Sequence, residues 1–273
     1  MKPSSTLFLA LTAAGLLSAP AGLFASTPGT DNAAQAAYAD GWTTGDNGGS
    51  GFLAWTLSAN VTGAGAAGNF IGSSTQLAGP GANVDTGTSS FGTYGQGTGA
   101  DAGNFDAFRS FAGGGLAVGQ TFSLDLAVNF RNGFKGLDLR SGGATGGNLF
   151  NFNIGADDYV VNGAATGNGS IGNAYSDNTA FRLAFTQTSA TGGTWTITRS
   201  GGVADSDTGT YTGVPDTLHL YVGTTDGGTA NNLYANNLSI TGNVPEPGTW
   251  ATVLLSGAGV LGFYSRRRRA SAR

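Results

Sequence analysis

Along the second half of the chain, hydrophobic and polar residues alternate with a period of two. Within Thr121 to Phe130, the residues Phe122, Leu124, Leu126, Val128 and Phe130 alternate with Thr121, Ser123, Asp125, Ala127 and Asn129. Successive side chains of an extended strand point to opposite faces, so this spacing predicts a strand with one buried face. The rhythm returns at Leu137 and Leu139, at Phe150, Phe152 and Ile154, and at Phe181, Leu183 and Phe185. It continues at Trp195 and Ile197, at Leu218, Leu220 and Val222, and at Leu238 and Ile240. Links rich in turn residues, 140–148, 190–193, 200–207 and 226–232, separate these runs. Short strands so spaced, with no helical periodicity between them, predict an all-β fold, an antiparallel β-sandwich or jelly roll. A parallel β-solenoid is the rival architecture, but it requires a fixed repeat of about 20 to 30 residues that the apolar runs do not have.

The first third is less patterned. One strand is expected over Phe52 to Val61, while the glycine-rich stretches 63–68 and 92–103 around it read as long loops or poorly ordered segments. Trp55 and Trp195 fall within alternating runs and are expected in the core.

Both ends break the alternation. Met1 and Lys2, the apolar run Leu7 to Leu17 and the small residues through Ala25 have the three parts of a secretory signal peptide. Residues 1–25 are therefore expected to form a signal helix, handled by the Sec export machinery and cut after Ala25 or, as a second choice, after Ala21. Residues 26–243 form the secreted body. At the other end, 244–273, the prolines of Val244-Pro245-Glu246-Pro247-Gly248 remove donors and fix an extended, stiff peptide. Thr249 to Ser265 carries no charge, and its 17 residues reach about 25 Å as a helix, close to a hydrocarbon core of about 30 Å. A single transmembrane helix is expected there, with Trp250 and Tyr264 at its interfaces and Arg266, Arg267, Arg268 and Arg269 as a basic stop on the cytoplasmic side.

This order of motif, apolar stretch and arginines resembles the PEP-CTERM sorting signal of many Gram-negative bacteria with abundant extracellular polysaccharide. Pro245, Glu246 and Pro247 match its motif, 249–265 its membrane segment and 266–269 its basic cluster. The resemblance implies an exosortase-type processing enzyme as partner, transient anchoring in the inner membrane, and then a place at the cell surface or outside the cell. A permanently anchored single-pass envelope protein is the alternative. Glu246 is the only glutamate of the chain, which ties the motif to its position. Strand rhythm over 104–242 is also similar to the jelly-roll sandwiches of the concanavalin-like lectin and glucanase superfamily, which implies a fold and nothing further.

Composition narrows the chemistry. There is no cysteine, so disulfides cannot stabilise the exported body and a sizeable core must do so. Ser26 to Val244 holds 15 Asp against six basic residues, a balance of −9, and no cluster of Lys and Arg. Nucleic acid is thereby disfavoured as a partner.

Since the body lacks Glu, the paired glutamates of jelly-roll glucanases have no counterpart. Asp125 and Asp138 are expected on solvated strand faces. His219, the sole histidine, is expected at the surface on the face opposite Leu218 and Leu220, without the nucleophile partner a general base needs. Gly63-Ala64-Gly65-Ala66-Ala67-Gly68 matches a dinucleotide fingerprint in letters, but no helix is expected after it. Asp205 and Asp207 are weak calcium candidates that read first as a turn of solvated carboxylates.

No catalytic residue, resident metal or other cofactor is expected. The resulting expectation is a non-enzymatic surface or matrix protein, structural or bound to extracellular polysaccharide; a secreted jelly-roll glycan-active enzyme is the alternative.

Overall fold

The computed structural model describes residues 26–75, 83–155, 158–171 and 178–242. The signal segment 1–25 and the tail from 243 onward lie outside them. The strands in chain order are β1 (Gly29–Asp31), β2 (Thr56–Val61), β3 (Ala66–Gly72), β4 (Ser90–Gln96) and β5 (Gly103–Ser110). Next come β6 (Thr121–Val128), β7 (Phe134–Ser141), β8 (Gly147–Asn153), β9 (Val160–Asn162) and β10 (Gly169–Ser170). The last are β11 (Thr179–Ser189), β12 (Gly192–Ser200), β13 (Asp205–Thr212), β14 (Thr217–Gly223) and β15 (Leu233–Thr241). They form an eight-stranded sheet, β13-β12-β11-β6-β15-β4-β3 with β1 also on β15, and a seven-stranded sheet, β10-β9-β8-β7-β14-β5-β2. Neighbouring strands pair antiparallel, and the expected antiparallel sandwich is what the chain forms.

The core lies between the sheets and is built from the alternating residues. Phe122, Leu124, Leu126, Leu137, Leu139, Phe150, Phe152, Phe181, Leu183, Phe185, Trp195 and Leu218 are all buried. At roughly 1.5–3 kcal/mol for each large apolar side chain removed from water, this layer is the main source of stability. Trp55 joins it as expected. Phe130 does not: β6 ends at Val128, and Phe130 is 42 % exposed.

The glycine-rich first third departs from expectation most. It contains the regular hairpin β3–β4, whose partners include Phe70 with Gly92 and Tyr94 with Gly68. Each ring lies over the glycine opposite it. A Cβ at Gly92 would stand 2.4 Å from the Phe70 ring, and one at Gly68 would stand 2.7 Å from the Tyr94 hydroxyl. Glycine here supplies floor space for an aromatic ring rather than flexibility. Trp195 repeats the device over Gly209, its partner on β13.

One polar cluster is sealed inside the sandwich. On β5, Phe105, Ala107 and Arg109 point inward, and Arg109 is fully buried. Its Nη2 donates to Asp31 Oδ2 at 2.8 Å and to the Gly48 carbonyl at 3.1 Å, and Nη1 donates to the Asp46 carbonyl at 3.0 Å. The Tyr38 hydroxyl donates to the same Asp31 oxygen at 2.5 Å, and the guanidinium lies 5.0 Å from the Trp55 ring centre. The cluster fastens the segment from β1 to β2 onto the seven-stranded sheet.

Candidate functional site

The outer face of the seven-stranded sheet carries a connected set of interacting polar and aromatic side chains. Strand alternation puts it there: residues between the core positions of β5, β7, β8 and β14 must point outward. Register then aligns them in rows across the strands. Thr56, Phe108, His219, Asp138, Asn151 and Asn162 form one row, and Ser58, Asp106, Tyr221, Gly136 and Asn153 the next.

His219 is the centre of the first row. Its Nε2 lies 2.8 Å from Asp106 Oδ1 and its Nδ1 2.9 Å from Asp138 Oδ2, while Phe108 stacks on the ring at 4.3 Å with planes 9° apart. Asp138 also accepts from Arg140 Nη2 at 2.9 Å and from Asn151 Nδ2 at 2.7 Å. Arg140 donates through Nη1 to the Ala144 carbonyl at 2.6 Å and lies over Phe108, 5.4 Å from its centre.

Burial by itself depresses the pKa of His219, but the hydrogen bonds to Asp106 and Asp138 outweigh it and raise the value above that of an ordinary histidine. Burial acts to raise Asp138, yet the hydrogen bonds from His219, Arg140 and Asn151 hold it below the usual carboxylate range. Both ring nitrogens face carboxylate oxygens, so the protonated ring has an acceptor on each side.

The second row lays an aromatic strip beside this cluster. Tyr221 crosses over Gly136, where a Cβ would meet its hydroxyl at 2.9 Å, and the hydroxyl accepts from Asn151 Nδ2 at 2.8 Å. Phe134 lies over Gly223, its partner in register, where a Cβ would stand 2.4 Å from the ring. Centre to centre, Phe134 and Tyr221 are 6.3 Å apart, Tyr221 and His219 5.6 Å. The result is a continuous strip, Phe134, Tyr221, His219, Phe108, bordered by Asn, Ser and Thr. Beside it, Asn104 Oδ1 and Arg140 Nε have no hydrogen-bond partner among the described residues.

Three expectations are corrected by the structure. His219 does sit on the face opposite Leu218 and Leu220, but it is only 6 % exposed, because neighbouring strands cover it. Asp138 is likewise buried in the cluster rather than solvated. Asp125 pairs with Arg182 at 2.9 Å on the outside of the other sheet, with the arginine side chain 47 % exposed. Asp205 and Asp207 are not in a turn: they begin strand β13, in register with Arg199 and Ile197. Asp216, nine residues further on, accepts the Gly142 and Gly143 N–H groups at 2.7 and 3.1 Å. No group of three metal-binding side chains occurs among the described residues. After Gly63 and Gly65 comes β3, so the nucleotide-like spelling precedes a strand instead of a helix.

Asp106, Phe108, Phe134, Arg140, Asn151 and Tyr221 were not singled out from the sequence. Their one sequence signal was position, since each stands between core residues of an alternating strand or at its start.

The tail that follows β15 was singled out from the sequence as Pro245, Glu246, Pro247 and Arg266 to Arg269, and all of these fall outside the described residues. A family comparison decides what it is. Residues 243–269 match the PEP-CTERM protein-sorting motif. A PEP-CTERM tail implies an exported surface protein that depends on an exosortase and is processed at the membrane. No helix among the described residues is long and apolar enough to cross a membrane.

No curated protein matches the chain. Among solved structures it is similar to the botulinum neurotoxin type G receptor binding domain, with 11 % identity, 68 % of this chain and 43 % of that one covered, and a TM-score of 0.31. The chain thus spans less than half of that domain. It is similar too to the family 11 carbohydrate-binding module of Clostridium thermocellum, with 9 % identity, coverage of 70 % and 89 %, and a TM-score of 0.30. A third is the alginate lyase AlgAT5 of polysaccharide lyase family 7, with 10 % identity, coverage of 55 % and 83 %, and a TM-score of 0.31. At such scores none of the three bears on the chemistry of this chain.

Proposed function

We propose that this PEP-CTERM protein is exported through the Sec machinery and held for a time in the inner membrane by 249–265. An exosortase-type enzyme then cuts it near Pro245 to Pro247 and leaves the body at the cell surface or in the matrix. There the sandwich binds polysaccharide on the outer face of the seven-stranded sheet and does not turn it over. The strip Phe134, Tyr221, His219, Phe108 is the observation that supports binding: the exposed Phe134 ring and the half-buried Tyr221 beside it, bordered by amides and hydroxyls, match a sugar, whose rings have apolar faces and hydroxylated edges.

Binding without turnover is supported by the state of His219. A general base needs a free nitrogen within reach of the proton it removes, and both nitrogens of His219 are occupied by Asp106 and Asp138.

Mass spectrometry of the mature protein from its native host tests the tail. Loss of everything beyond the Pro245 region is expected, and a product that keeps Arg266 to Arg269 sinks this half of the proposal. For the body, the purified protein is passed over immobilised polysaccharides while reducing ends and unsaturated products are assayed. Retention without products is expected; released products restore the glycan-active enzyme.

A further inference from the structure

Every charge on the binding face is already matched by another on the same face. Asp106 and Asp138 stand against His219 and Arg140, in one contiguous chain of contacts of 2.8 to 2.9 Å. No other outward position of β2, β5, β7, β8, β9 or β14 carries a charge. With His219 protonated the face sums to zero, and with it neutral to −1. In neither state is there a surplus cation.

The polar groups left open point the same way. Arg140 has both terminal nitrogens engaged by Asp138 and Ala144. Asp106 contacts His219 through Oδ1, and its side chain is 38 % exposed, so a carboxylate oxygen remains to meet a ligand. Asn104 Oδ1 and Arg140 Nε, unpartnered among the described residues, are both sealed from solvent and meet no ligand. A carboxylate oxygen of this kind accepts hydrogen bonds from hydroxyl groups and repels carboxylate or sulfate groups. The surrounding body adds to that repulsion with its balance of −9.

From this we infer that the ligand is a neutral glycan, a polymer of uncharged sugars laid along the aromatic strip, and that uronate-bearing or sulfated polymers are excluded. The inference rests on the proposed polysaccharide-binding reading and adds the chemical class. The strip sets the mode of binding: Phe134 is its exposed ring and stacks on a sugar face, with Tyr221 beside it. Asp106 takes hydroxyl protons at the edge. Asp138, Arg140 and Asn151 position His219 and Tyr221 without touching the ligand.

Affinity electrophoresis of the full-length protein tests this, in gels containing a mixed-linkage β-glucan, a galactomannan, polygalacturonate, alginate or chitosan at low ionic strength. Retardation by at least one neutral polymer is expected, and none by polygalacturonate or alginate. Retardation only in the uronate gels, or only by cationic chitosan, overturns the neutral class while leaving polysaccharide binding in place. Retardation in no gel defeats the binding reading itself.

Phe134→Ala should weaken retardation by about tenfold, the equivalent of one lost aromatic stack. At 39 % exposure, Phe134 can be removed without opening the core. Asp106→Asn keeps hydroxyl recognition and makes the face cationic while His219 is protonated, so in gels buffered to keep His219 protonated it should gain measurable affinity for polygalacturonate. If both variants match the parent protein on every gel, the ligand lies elsewhere and the inference falls.

Discussion

Strand β5 carries two acid–base clusters of similar composition on its opposite faces, and they do different work. Inside, Arg109 and Asp31 have no exposed side-chain surface at all. Outside, His219 and Asp138 keep 8 % and 7 %, and Asp106 keeps 38 %. The inner cluster joins a segment far away in sequence to the sheet and offers nothing to a ligand. The outer one uses its ion pairs to hold a row of aromatic rings in place, with an acceptor at its edge. Alternation on one strand separates fastening from presenting, so the two can be broken independently.

Removing Arg109 should have the largest effect. Arg109→Leu leaves Asp31 buried without its cation, a loss of about 3–5 kcal/mol, read from urea unfolding, while the molecules that remain folded bind glycan as before. Replacing both Arg109 and Asp31 with Leu should be milder than the single change, since no uncompensated charge remains. On the outer face, His219→Gln should cost less, about 1–2 kcal/mol, yet lower glycan retention because Tyr221 and Phe108 lose their support. If Arg109→Leu weakens binding per folded molecule as much as His219→Gln does, the division between the faces is wrong.

The clusters also respond to pH over different ranges. Burial pushes Asp31 up to about 6, against the Tyr38 hydrogen bond and the Arg109 charge. A raised carboxylate contributes stability that is complete below about 3.9 and lost as pH rises through about 6. Asp138 is lowered and His219 raised. The contribution of Asp138 is therefore present above about 3.9 and lost as pH falls through its folded value. That of His219 is complete below about 6.5 and lost as pH rises through its folded value. Unfolding midpoints measured across pH should lose their downward slope between about 4 and 6 in Asp31→Asn, and the decline above about 6.5 in His219→Gln. The smallest effect is expected at Arg182→Ala, an exposed pair with Asp125, at under about 1 kcal/mol and with no change in binding.

Much of the sandwich could be read from the sequence because its strands bury one face each. Leu124 and Leu126, or Leu218 and Leu220, advertise their strands locally. Hairpin β3–β4 escaped notice because Gly68 and Gly92 contribute no side chain to a pattern, although they are the floor beneath Tyr94 and Phe70. The site was hidden for a different reason. His219 is covered by Asp138 and Asp106, 81 and 113 residues away, and such cover depends on strand order, which periodicity does not report. Arg109 was also illegible: a cation at a core position reads as a fault in the alternation until Asp31 and Tyr38 are placed around it.

Strand β15, from which the tail departs, is an interior strand. It is bonded to β6 along one side and to both β4 and β1 along the other, and its last residues Ile240 and Thr241 lie beside Gly29 of β1 and Thr121 of β6. In the proposed anchored stage, a pull between the tail and a polymer bound to the opposite sheet would enter through a strand gripped on both sides. Such a pull loads many hydrogen bonds in shear at once, where an edge strand would peel away one bond at a time. Until the proposed cut is made, the sandwich would hang from a place suited to carrying mechanical tension.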